Sequence, residues 1–253
     1  MTDPVHRTIL LLDIEAYSDR DDVEQAYLRR MLYDIADRAL EGAGIDETLR
    51  LRADRGDSVM ELVESSAPVT ALLRSLLTGV PAQLRSVNRM ASRSAQIRLR
   101  GVVATGWVAV DEHDGWVGSD LNHACRLLDA DVLRKALKKR ADDFALCVSQ
   151  SVYAGVVRHD HTSIPKEEFH EVTVDSKNGP LTAWLHGPVP TDAVPADAVP
   201  RRQEKAKAPD PAPAPAIGSV GGGTVGGDQN NVTGNSVGGD FVIGSARRRG
   251  EGS

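Results

Sequence analysis

The chain has 253 residues, 41% apolar and 26% charged, with a net charge of −6 and a pI near 5.7. That length holds one or two domains with a sizeable core, and the acidic balance argues against nucleic acid or an anionic membrane as partner. The opening MTDPVHRTILLLDI has too short an apolar run for a secretory leader, and no later stretch reaches the roughly 18 apolar residues of a membrane span.

From the N-terminus, residues 7–13 form an apolar run of buried-strand length, and Val23, Tyr27, Met31, Ile35 and Ala39 recur at helical spacing over 22–40. Residues 48–53 and 58–63 alternate on either side of Arg55-Gly56, which predicts a hairpin. Residues 68–77 read as a helix that Pro81 either kinks or follows with a second one reaching about residue 91. Residues 96–111 read as a long strand. Residues 118–138 carry one apolar stripe, a single helix with Ser119 or Asp120 as its N-cap. Strands at 144–148, 169–174 and 181–186 and a short helix at 151–157 complete an α+β sheet with helices on one face. Cys125 and Cys147 lie in periodic apolar segments, as reduced thiols do, which agrees with a cytoplasmic location.

Composition changes sharply near residue 187. Eight of the thirty residues 187–216 are Pro, the mark of an extended linker. Residues 217–244 are rich in Gly, and Val-Gly-Gly-Asp at 225–228 returns at 237–240, a twelve-residue period. Two readings stay open for this tail: a flexible Gly-rich segment, or homotypic stacking that buries Val and ladders Asn, similar to short amyloid signalling sequences. Residues 245–253 form a basic terminus.

Two carboxylates stand out by position. Asp13 ends the first strand and Asp57 sits at the hairpin tip, so a sheet can bring them together as ligands for a hard divalent cation on a triphosphate. Either Asp alone is more often a turn residue. On the 118–138 helix, Asn122 and Arg126 are one turn apart, an Arg suited to phosphoryl charge and an Asn to a sugar oxygen. The cluster His159, Asp160, His161 and His170 matches no closed zinc spacing and reads as a solvated loop.

Four ordered segments, LLLDIEAYSD, RGDSVMELV, IRLRGVVATGWV and GSDLNHACRLLDA, resemble the class III nucleotidyl cyclase catalytic domain over residues 5–186. The resemblance implies a ferredoxin-like fold acting as a homodimer on a nucleoside triphosphate. It implies two Mg²⁺ or Mn²⁺ ions on Asp13, Asp57 and the Ile14 carbonyl, and Asn122 and Arg126 supplied by the partner chain. Two base-reading positions of the family hold Ala53 and Gly115, with Arg52, Asp54 and Asp114 adjacent as substitutes, and Ala104 stands where a His is frequent. The alternative to an enzyme is a non-catalytic cyclase-like dimer or sensor whose tail carries the signal.

Overall fold

The computed structural model describes residues 3–113, 115–176 and 179–190. The expectations for Asp114, for the linker beyond residue 190, for the 217–244 repeat and for the basic terminus therefore lie outside the described residues.

β1 (Val5–Ile14) leads through α1 (Asp22–Gly42) to the hairpin β2 (Arg50–Asp54) and β3 (Ser58–Glu64). α2 (Val69–Arg74) passes through a π turn at Ser75–Gly79 into α3 (Val80–Asn88), with Pro81 in the first turn of α3, where its missing N–H costs nothing. β4 (Leu99–Val110) runs unbroken and pairs with the short β5 (Trp116–Val117). Then come α4 (Ser119–Leu128), α5 (Asp131–Lys139), β6 (Phe144–Ser149), α6 (Gln150–Gly155), β7 (Phe169–Val174) and β8 (Leu181–His186). The sheet order is β2-β3-β1-β4-β6-β8-β7, and β4–β6 is its parallel pair. The first four of these strands, with the intervening helices, make the expected ferredoxin-like core.

Helices on one face needs a correction: the sheet is covered on both. Ile9 and Leu11 pack into one core with Met60, Val102, Ala145 and the α4 and α5 residues Leu121, Ala124 and Leu133. Leu10 and Leu12 pack into another with α1, α2 and α3 through Leu28, Leu32, Leu72 and Leu84. The cause is in β1 itself, whose apolar run has no polar face to give to water.

Two further details differ from the sequence reading. The 118–138 helix is two: Asp129 ends α4 and Ala130 is extended, while the apolar stripe continues across the break because both helices cover the same face. The buried stripe of α1 is Leu28, Leu32, Ile35, Ala36 and Ala39, and Val23 is 79% exposed. A capping box of Asp21 and Glu24 fixes the start of that helix.

Candidate active site

β1 and β3 are antiparallel with Asp13 opposite Ser58, and the Ile14 N–H donates to the Asp57 carbonyl at 3.0 Å. Asp57 is thus the neighbour of the Asp13 pair, at the mouth of the hairpin. The turn has local causes: Gly56 takes φ +83°, and the Asp54 carboxylate accepts the Gly56 N–H at 2.8 Å.

Asp13 is only 7% exposed and faces the α4 side. Across β4 its partner is Arg100, whose guanidinium contacts the Asp13 carboxylate and donates to the Leu128 carbonyl at 3.3 Å. Burial pushes the Asp13 carboxyl up from 3.8 to about 6; Arg100 pulls it down, and the negative fields of Asp57 and Asp129 push it up again. Asp13, Asp57 and Asp129 therefore share one field, and desolvation leaves the Asp13 charge only partly compensated by Arg100. A divalent cation suits that deficit, and Asp13, Asp57 and the Ile14 carbonyl are the groups that would hold it. Among the described residues no set of three His, Cys, Asp or Glu side chains is gathered as a metal cage, the His159 region included.

α4 is fixed to β4 by a close approach at Gly106. A Cβ there would lie 2.1 Å from the Asp120 carboxylate, which accepts the Trp107 N–H at 2.9 Å. Asp120 is thus a latch between helix and strand and not the N-cap; the N-cap position is Gly118, without a side-chain bond. Of the pair one turn apart, Asn122 is exposed, and Arg126 reaches Ser176 in the β7–β8 connection at 3.5 Å. No hydrogen bond or ion pair among the described residues joins either to Asp13 or Asp57.

The two described substitutes for base reading are engaged elsewhere. Arg52 lies on the α1 side, bonded to Asp37 at 2.6 Å, paired with Glu61 and set over the Tyr33 ring at 5.0 Å. Burial works against its charge, yet Asp37 and Glu61 hold the guanidinium above its ordinary value. Asp54 pairs with Arg29 of α1. Ala53, opposite Met60, faces the α4 side of β2 together with Leu51, opposite Leu62. At Gly115 a Cβ would stand 2.5 Å from the Asp111 carboxylate, which accepts the Gly115 N–H, so a side chain there would displace that carboxylate.

Sequence reasoning missed Arg100, Asp129 and Glu61. Arg100 carried a signal: with Arg98 it is one of two cations in the mostly apolar strand read at 96–111. A cleft of 330 Å³ beside α4, lined by Thr105, Asp120, His123 and Ser149 among others, contains none of these carboxylates.

No protein-family profile and no curated protein matches the chain. Solved structures do. An adenylate/guanylate cyclase/hydrolase from Silicibacter pomeroyi superposes with a TM-score of 0.50 at 20% identity, over 74% of this chain and 99% of that one. The guanylyl cyclase Cya2 gives 0.51 at 16% identity, over 77% and 98%. The chain has the fold of a class III nucleotidyl cyclase catalytic domain. In that cyclase fold the carboxylate pair and Arg100 lie at one end of the central strands, on the face that α4 and α5 partly cover. No described helix of it is long and apolar enough to cross a membrane.

Proposed function

We propose that the cyclase-fold domain converts a nucleoside triphosphate to its 3′,5′-cyclic nucleotide and pyrophosphate, at a site completed by a second copy of the chain. The observation that carries this reading is the convergence of Asp57 and buried Asp13 beside Arg100. A buried acid raised to about 6 by desolvation, in the field of two further carboxylates, is what a metal–triphosphate complex would complete.

A bound Mg²⁺ or Mn²⁺ pair supplies Lewis acidity, lowering the pKa of the ribose 3′-hydroxyl and neutralising the triphosphate. The protein's part is placement. Asp13 and Asp57 would hold the cation that carries the triphosphate, at the sheet end, and Arg100, already beside Asp13, offers its guanidinium to phosphate oxygens. The 3′-hydroxyl loses its proton to solvent, and its oxygen forms a bond to the α-phosphorus in line as the bond to pyrophosphate breaks. Asn122, exposed on α4, and Arg126 one turn on would reach the ribose and α-phosphate of a partner's site in a two-fold dimer. Ala53 and Gly115 leave the base without side-chain readers at the family's two positions.

Purified protein with Mn²⁺ and each of the four nucleoside triphosphates in turn will form cyclic product with at least one. Asp57→Ala removes that product while far-UV circular dichroism is unchanged. Mixing Asp57→Ala with Arg126→Ala restores roughly a quarter of wild-type activity, because half the dimers regain one of two sites. No product with any nucleotide refutes catalysis, and no restoration refutes the shared site.

A further inference from the structure

On the opposite layer from the carboxylates, a groove of 370 Å³ lies among α1, α2 and α3. Arg38 and Gly42 of α1 line it, with Arg74 at the end of α2, Ser75 and Gly79 of the π turn, and Gln83 of α3. No Asp or Glu lines it. The chain has 36 acidic against 30 basic residues, so two guanidinium groups on one groove without a carboxylate stand apart from the pairing seen elsewhere. On the adjacent position of α1, Asp37 takes both Arg50 and Arg52.

Each donor is available. Arg38 is exposed and has no ion pair among the described residues. Arg74 is steadied by its Nε, which donates to the Thr162 carbonyl at 3.0 Å and leaves the two terminal nitrogens for a ligand. The Ser75 hydroxyl has no hydrogen-bond partner among the described residues, and two glycines leave it uncovered. A Cβ on Gly42 or Gly79 would sit 3.3 or 3.5 Å from Ser75 Oγ. Gln83 Oε1 is buried without a partner, and its Nε2 lies on the side of Gly79, 4.0 Å from where a Cβ on that glycine would stand. The π turn is what places Arg74, Ser75 and Gly79 around one opening, a use typical of such bulges.

The carbonyl end of α1 would repel an anion if its acceptors were bare. They are not: Ala43 and Ile45 donate to the Leu40 carbonyl at 3.0 and 2.9 Å, and Gly44 donates to that of Glu41 at 2.9 Å.

We propose that this groove binds a phosphate monoester between the Arg38 and Arg74 guanidinium groups, with the Ser75 hydroxyl and the Gln83 amide as further donors. A phosphate monoester is close to a dianion with three acceptor oxygens, which matches two fixed cations and two neutral donors; a carboxylate supplies half the charge and two oxygens. The groove is larger than a phosphate group, so it has room for the organic part of a small ligand. The proposal is independent of the cyclase reaction.

Isothermal titration of the full chain at constant ionic strength and without metal tests it, with ribose 5-phosphate, inorganic phosphate and acetate as probes. Ribose 5-phosphate binds saturably at one site per chain, and Arg38→Gln weakens it by about tenfold or more, the worth of a charge-assisted pair. Arg38 is exposed, so that variant melts as wild type does in the absence of ligand. Asp57→Asn leaves the binding unchanged, which separates this groove from the carboxylate site. Tighter binding of the ester than of inorganic phosphate identifies an ester ligand, and equal affinity identifies the free ion; both uphold the site. No saturable heat, equal binding of acetate, or full affinity in Arg38→Gln overturns it.

Discussion

One hairpin carries charge to both faces of the sheet, and the two clusters are built differently. On the α1 face Arg50 and Arg52 meet Glu61 and Asp37, two cations with two carboxylates; Arg50 bonds Glu61 at 2.9 Å and Asp37 at 2.8 Å. Burial raises the carboxyl of fully buried Glu61 even with Arg52 and Arg50 beside it, while at Asp37, more open, the partial burial is outweighed by the two Arg residues, which hold it below its usual carboxylate range. On the α4 face Arg100 meets Asp13 while Asp57 and Asp129 add more negative field. The balanced cluster fastens the hairpin to α1; the other is where we propose that a metal–triphosphate complex binds. A buried charge is therefore read by its pairing before its burial.

The largest effect separating the two clusters is on stability. Glu61→Ala takes from Arg50 and Arg52 their buried carboxylate, leaving Asp37 alone with two guanidinium groups, and is expected to cost about 3–5 kcal/mol in urea unfolding, as breaking a buried pair does. Metal binding should be lost only in proportion to unfolding. If Glu61→Ala left stability intact, the balanced cluster would not be the fastening.

Next comes metal. Saturating Mg²⁺ should stabilise the native chain by about 2–3 kcal/mol at pH 8 when present near a hundred times its Kd. Protonated Asp13 cannot bind it, so the gain fades as pH falls through about 6. Thermal melts with and without Mg²⁺ from pH 5 to 8 read this directly, and Asp57→Asn should show no Mg²⁺ shift at any pH.

Smaller, and opposite in sign to Glu61→Ala, is Asp13→Asn in metal-free buffer. Folding raises this carboxyl from 3.8 to about 6, so between those values the native state holds more protons than the unfolded one. The group's stabilising protonation is fully present below 3.8 and lost as pH rises through about 6. Asp13→Asn removes the charged form, and should raise stability at pH 8 by on the order of 1–3 kcal/mol and leave it nearly unchanged at pH 4. Equal effects at both pH values would mean that burial is not what disfavours the carboxylate.

Much of this was legible in residues whose meaning is local. The apolar run into Asp13, the Arg-Gly turn and the strands at 169–174 and 181–186 are set by period and turn chemistry, and the structure places them as read. What escaped depends on partners distant in sequence. Glu61 looked like the polar phase of an alternating strand; it is buried because α1 supplies Asp37 and Tyr33 above Arg50 and Arg52. Arg100 acquires its meaning only once β4 is placed beside β1. The break at Ala130 was hidden because an apolar stripe can cross two helices that share a floor.

Asp54 is the narrowest test, because the sequence made it a candidate base reader and the structure gives it two other partners. Its carboxylate pairs with Arg29 across a gap open to water, both side chains being more than 40% exposed, and it accepts the Gly56 N–H that closes the turn. Asp54→Asn keeps an acceptor for Gly56 and removes only the screened ion pair, so the expected loss is under about 1 kcal/mol. Because residue 54 faces the α1 side with Arg52, while Ala53 faces the α4 side, the variant should also leave unchanged the order in which the four nucleoside triphosphates are used. An altered order would show that the hairpin tip turns over when substrate binds, joining the balanced face to the unbalanced one.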